Sequence, residues 1–98
     1  MGGVTYYIAY CPTCRRILPP TRFRRSKSGT HGEDHWVHEH PLAFMELSSS
    51  NAGNRTLWAD QNIPETLYRL AERAWIHEDR APNEVEKLLA ESLKGETQ

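Results

Sequence analysis

Cys11 and Cys14 are the two cysteines of this 98-residue chain, and they form a C-x-x-C motif. Such a pair can act as a redox dithiol, supply half of a metal site, or stay unligated. A redox dithiol is expected at the start of a helix in a βαβ unit, and residues 15–20 do not have a helical pattern. The motif therefore predicts two thiolate ligands for a metal ion, with the remaining ligands elsewhere in the chain.

The second half of such a site is predicted in residues 31–40, which hold four of the five histidines. In a turn or in the first turn of a helix, side chains three residues apart converge, which favours His35 with His38. On a strand, alternate side chains share a face, which favours His38 with His40. Two thiolates and two imidazoles in a tetrahedron suit zinc. We predict a structural Zn²⁺ ion bound by Cys11, Cys14, His35 and His38, with His40 or the more distant His31 as a substitute.

The first part of the chain resembles short zinc-finger modules of phage and bacterial proteins. The resemblance covers about residues 9–40 and lies in the C-x-x-C pair, the Leu18-Pro19 step, Phe23 and a Ser/Lys/Gly loop. It implies a knuckle of the zinc-ribbon or treble-clef type. In that family a second C-x-x-C completes the site, and histidines occupy its place here.

A weaker resemblance is to HNH-type nucleases, whose motif residues have these counterparts in the same order: Asp34-His35, Pro41-Leu42, Asn54 and Asn62. It implies that His35 is a general base that activates water, with a magnesium-type ion on the phosphate. Ala59 and Asn62 stand where the family has a second cysteine pair, and the family's final histidine ligand is missing. An active nuclease is therefore the alternative hypothesis.

Positive charge is concentrated in the first third of the chain, although the net charge is −1. Residues 1–32 carry six Lys/Arg and no Asp/Glu, and all thirteen Asp/Glu follow them. Beside a metal knuckle, these cations would form a basic surface that suits nucleic-acid phosphates or an acidic protein surface. The predicted binding residues are Arg15, Arg16, Arg22, Arg24, Arg25 and Lys27.

Short strands are expected to position the cysteines. The β-branched and aromatic run 4–10 predicts a strand, and residues 16–18 predict a short return strand after the cysteine turn. Residues 21–34 have the polar, glycine-containing pattern of a loop. The apolar run 42–47 is short enough to fit either a strand or a helix.

The last third of the chain predicts a helical hairpin. An apolar stripe begins after Pro64, is interrupted at residues 79–82, and resumes as far as Gly95, the predicted end. Hydrophobic residues are only 38% of the chain, so a metal ion would compensate for a small core. We predict an α+β protein, a zinc-stapled β-knuckle (zinc-ribbon or treble-clef-like) followed by a helical hairpin. Its parts are a zinc-binding module at 1–47, a linker at 48–62 and the hairpin at 63–94.

The functional hypothesis is a zinc-binding accessory protein, phage or bacterial, that binds nucleic acid or an acidic protein surface through its basic residues. The sequence contains neither a secretory signal nor a membrane-spanning run, so we expect a cytoplasmic protein without a membrane partner. The C-terminal helices could mediate a homodimer. They could also bind a host protein, which would make the chain an inhibitor or structural protein.

Overall fold

The structure is a computed structural model that describes residues 4–19 and 38–96. In these ranges the chain forms a four-stranded sheet followed by two helices, and the predicted α+β class is confirmed. A π-helical turn, Arg73–His77, extends the first helix. The other elements are β1 (Val4–Cys11), β2 (Arg16–Ile17), β3 (Ala43–Ser49), β4 (Arg55–Ala59), α1 (Glu65–Glu72) and α2 (Pro82–Glu96).

The sheet is antiparallel throughout, with the strand order β2-β1-β3-β4. β1 lies in the middle and pairs along its length with β3, from Val4 opposite Ser49 to Tyr10 opposite Ala43. At the other side of β1, Cys11 lies opposite Arg16 in the short β2. This register places the end of β1 beside the residues that lead into β3.

Alternation along the strands directs one face of the sheet towards the helices. Ile8 and Met45, which lie opposite each other, are buried in the hydrophobic core. Leu67 of α1 and Leu89 of α2 belong to the same core and are fully buried. The sheet and the helices therefore share one apolar interior.

Residues 42–47, for which the sequence allowed a strand or a helix, contribute to β3. Their burial alternates from Ala43 to Leu47, the period-two pattern of a strand with one face in the core. Pairing with β1 on one side and β4 on the other satisfies the backbone groups of the strand. Tertiary pairing thus selects the strand.

The predicted linker 48–62 contains a strand that the sequence analysis did not identify. A turn closed by the Gly53 N–H on the Ser50 carbonyl, at 2.9 Å, reverses the chain after β3. Gly53 has φ +86°, a conformation that glycine adopts without the strain of a Cβ atom. β4 then returns along β3, so the sheet continues through the segment expected to be a linker.

The two predicted helices are present. α1 begins after Pro64, and Asp79, with φ 57°, ends the helical path before α2. Pro82 is the first residue of α2, where its missing N–H breaks no helical hydrogen bond. α2 includes Gly95 and ends one residue later. In the described ranges, no helix combines the length and the apolar character needed to cross a membrane.

Arg55 joins β4 to the turn that follows α1. Its guanidinium lies 4.0 Å from the centre of the Trp75 ring and donates Nη1–H to the carbonyls of Trp75 (3.2 Å) and Arg80 (2.9 Å). It also pairs with Asp79 at 2.7 Å. Trp75 in turn donates its indole N–H to the Thr56 carbonyl at 2.9 Å. These contacts fix the helical segment against the sheet edge.

Candidate metal centre

Four potential metal ligands come together where β1 ends and the chain leads into β3. They are Cys11, Cys14, His38 and His40, and their donor atoms all lie within 4.8 Å of one another. Cys11 is fully buried and Cys14 is exposed, whereas both imidazoles are half-buried. The two sulfurs are free thiols. The group is therefore close enough to hold a metal ion.

The cysteines are positioned by the turn between β1 and β2. Cys11 is the last residue of β1, and its carbonyl accepts the Arg15 N–H at 2.7 Å, which closes the turn. The Cys14 N–H points at the Cys11 sulfur at 3.2 Å. Arg15 has φ 58°, so the turn requires the left-handed region at a residue other than glycine. The turn brings the Cys14 sulfur to the same side as that of Cys11.

The histidines are positioned by the segment just before β3. Pairing of Tyr10 with Ala43 fixes this segment next to the end of β1. His38 and His40 are two residues apart, and their rings meet edge to face with centroids 5.2 Å apart. The Nε2 atom of His38 and the Nδ1 atom of His40 lie nearest the sulfurs.

Four of the six distances among the donor atoms match the edges of a tetrahedral zinc site, and all six lie within 4.8 Å. With bonds of about 2.3 Å to sulfur and 2.05 Å to nitrogen, a tetrahedron has S···N edges of about 3.5 Å and an N···N edge of about 3.3 Å. Here the Cys14 sulfur lies 3.5 Å from His38 Nε2 and 3.4 Å from His40 Nδ1. The Cys11 sulfur lies 3.7 Å from His40 Nδ1, and the two nitrogens are 3.4 Å apart. These four distances need no rearrangement to accept an ion.

The two thiols differ in acidity. Burial opposes ionisation of Cys11, but the backbone N–H of Cys14, the Cys14 thiol, the Thr13 N–H and the charge of Arg16 together lower the Cys11 pKa. The hydrogen bond to Cys11, reinforced by desolvation and by the negative charge of that sulfur, raises the pKa of Cys14 despite Arg16. Cys11 thus ionises first, and a bound dication would ionise both thiols.

Several predicted site residues lie outside the described ranges. These are the proposed ligand His35, its substitute His31 and the basic residues Arg22, Arg24, Arg25 and Lys27. Asp34, the other member of the nuclease-like pair, lies outside them too. Of the other nuclease-like residues, Pro41-Leu42 lies just before β3, and Asn54 and Asn62 are exposed on either side of β4. Of the described members, Cys11, Cys14 and His38 meet at the centre, and Arg15 and Arg16 are exposed beside it.

His40, weighed in the sequence only as a substitute, is close to both sulfurs in the structure. The signal in the sequence was the H-x-H spacing, which places two side chains on one side of an extended segment. No protein-family model, curated protein or solved structure matches this chain.

Proposed function

We propose that Cys11, Cys14, His38 and His40 bind one structural zinc ion. The observation that carries the proposal is the tetrahedral spacing of two sulfurs and two imidazole nitrogens, from 3.4 to 3.7 Å along four edges. Four protein donors fill the coordination shell of zinc, leaving no position for a reactive water. The ion would therefore support the fold rather than perform catalysis.

The ion would join two parts of the chain that are separated by 18 residues outside the described ranges. One ligand pair belongs to the β1–β2 turn and the other to the segment that starts β3. We infer a knuckle of the zinc-ribbon or treble-clef type. A structural zinc site contributes on the order of 10 kcal/mol to folding of a small domain, which is comparable to the stability of a whole protein.

The protein would act as a binding module that presents cations from this knuckle. Arg15 and Arg16 follow Cys14 directly and are exposed, so the metal would fix their backbone. Arg22, Arg24, Arg25 and Lys27 would extend the basic surface towards nucleic acid or an acidic protein. We place this function in the cytoplasm, where a reducing environment keeps both thiols available to the metal.

Elemental analysis of the purified protein tests the metal proposal. We expect one zinc per chain in the native protein, and less than stoichiometric zinc in Cys14→Ser and His38→Ala. His77→Ala is the matched control, because His77 is an exposed histidine outside the cluster. Substitution with Co²⁺ should give the intense visible absorption of a tetrahedral thiolate complex. Native protein without bound metal, or a histidine variant that retains it fully, would contradict the proposal.

A further inference from the structure

A groove runs between strand β2 and helix α2, beside the metal centre. It consists of a cavity of about 350 Å³ next to Cys14 and a second cavity of about 320 Å³ next to Pro19. Ile17 of β2 and Ala90 of α2 line both cavities, so the two are adjacent along the groove. The groove therefore follows the full length of β2 and about three turns of α2.

In the part of the chain that the structure describes, the strand side of the groove is an open sheet edge. β2 is the outermost strand, and Leu18 donates its N–H to the Ala9 carbonyl at 3.0 Å. In an antiparallel pair, the backbone N–H and C=O groups of successive residues point alternately towards the partner strand and away from it. The N–H and C=O of Ile17, the residue before Leu18, therefore point away from β1. In residues 4–19 and 38–96, no backbone group hydrogen-bonds to Ile17 from that side. Ile17 thus offers one donor and one acceptor to an added strand.

The lining of the groove combines apolar and positive surface. Ile17, Ala90 and Leu93 form its apolar wall near the metal centre. The described residues that line the same cavity include the cations Arg15, Arg16 and Lys94 and no carboxylate. Among the described residues, neither arginine forms an ion pair. This end of the groove therefore favours an anionic group next to an apolar one.

We propose that this groove binds an extended peptide that carries an acidic residue beside an aliphatic one. The peptide backbone would pair with Ile17 as an added strand, a common mode of peptide recognition. Its aliphatic side chain would contact Ala90 and Leu93, and its carboxylate would lie among the cations at the metal end. The inference rests on the proposed function, since Cys14 lines the same cavity and the ion would hold Arg15 and Arg16 in place.

Two features favour a peptide over nucleic acid. The far end of the groove is lined by one carboxylate, Glu86, and one cation, Lys87, so this end has no excess of positive charge to attract a phosphate backbone. Among the described residues, neither cavity is lined by an aromatic ring on which a base could stack. A peptide can pair with the sheet edge through its backbone, contact the apolar wall with an aliphatic side chain and place a carboxylate beside the cations.

Selection from a random octapeptide phage library on the zinc-loaded full-length protein tests the proposal. We expect the enriched peptides to share an acidic residue next to an aliphatic one. In a titration with a selected peptide, backbone amide NMR shifts should change most at Ile17, Ala90 and Leu93. Ala90→Phe, which fills the groove, should abolish binding, and Arg15→Gln should weaken it by about fivefold, as expected for one exposed charge contact. Arg69→Gln is the matched control, because Arg69 is exposed on α1 and far along the chain from the groove.

The outcomes separate this inference from the metal proposal when zinc content is measured on the same samples. The inference alone is overturned if the zinc-loaded protein enriches no peptide with an acidic residue beside an aliphatic one. It is also overturned if the zinc-loaded Ala90→Phe variant binds such a peptide as tightly as the native protein does. Peptide binding at the groove by a native protein that contains no zinc and takes up none when it is added would overturn the metal proposal and leave the groove proposal standing. A (dT)15 oligonucleotide is added as a competitor. If it displaces the selected peptide and changes the NMR shifts of the same backbone amides, the groove binds nucleic acid and the peptide proposal is wrong.

Discussion

His38 and His40 meet the cysteine sulfurs through different ring nitrogens, Nε2 and Nδ1. Each neutral imidazole must then carry its proton on the other nitrogen, so the two histidines would bind a metal as opposite tautomers. The charge of Arg16 favours the thiolate form of both cysteines, although the pKa of Cys14 is still raised by its hydrogen bond to Cys11 and by desolvation.

The two possible histidine pairs, His35 with His38 and His38 with His40, predict opposite effects of single substitutions on zinc affinity. His40→Ala should reduce zinc affinity by more than about 100-fold, since it removes a donor rather than a supporting contact. His35→Ala should leave affinity unchanged if His40 is the fourth ligand. Competition with a chromophoric chelator measures both. Equal affinity in His40→Ala and the native protein, together with a loss in His35→Ala, would restore the H-x-x-H assignment.

The sequence alone could identify the cysteine pair but could not choose among the histidines. C-x-x-C places both sulfurs through local turn geometry, which the motif itself specifies. The choice between His35 and His40 depends on how residues 38–42 approach β1, and that is determined by the pairing of Tyr10 with Ala43. Such pairing joins residues distant in the sequence, so no local pattern predicts it.

At the level of secondary-structure elements, Arg55 connects β4 to the turn after α1 through its contacts with Trp75, Asp79 and Arg80. A planar guanidinium can stack on Trp75 while donating to two carbonyls and a carboxylate, and lysine cannot reproduce that geometry. The carbonyls of Trp75 and Arg80 lie where the helical path ends, so the cation also compensates the partial negative charge there.

Replacing Arg55 should therefore destabilise the fold. Arg55→Ala should lower the free energy of unfolding by about 1–3 kcal/mol, because it removes hydrogen bonds to a charged donor and a cation–π contact. Arg55→Lys should recover only part of this loss. Chemical denaturation followed by tryptophan fluorescence gives the values. Arg69→Ala serves as the control, since its ion pair with Glu65 is exposed, and an equal effect in both variants would refute the role assigned to Arg55.

The helices and the first strand were predictable because their signals are local. Leu67 and Leu89 repeat at helical spacing with their neighbours, and the run before Cys11 is rich in β-branched and aromatic residues. β4 was missed because Trp58, which is 50% exposed, and Thr56 point away from the core. Leu57 and Ala59 are the apolar residues on its inner face, and the short strand lies between the turn-forming stretches 48–54 and 60–64, so the whole segment resembles a linker.

Over the whole molecule, the predicted zinc module and helical hairpin contribute to one hydrophobic core. Ile8 and Met45 from the sheet pack in the same cluster as Leu67, Val85 and Leu89 from the helices. Elements that share a single core unfold together in most small domains. Loss of the metal should therefore destabilise the helices as well as the knuckle.

Metal removal tests this coupling. Treatment with a strong chelator should lower the melting temperature of the whole chain in one transition, by about 4–8 °C for each kcal/mol lost. Far-UV circular dichroism at the helical band provides the measurement, and re-addition of Zn²⁺ should restore the original value. Helices that melt at an unchanged temperature after the metal has gone would show that their stability is independent of the site.

X-ray absorption spectroscopy at the zinc edge counts the donor atoms around the ion, so it shows directly whether two sulfurs and two imidazole nitrogens bind it. We expect two sulfurs at about 2.3 Å and two nitrogens at about 2.0 Å in the native protein. The same measurement on His40→Ala should show one nitrogen replaced or the ion lost. A shell of nitrogen and oxygen without sulfur, or native protein that holds no zinc, would contradict the proposed site.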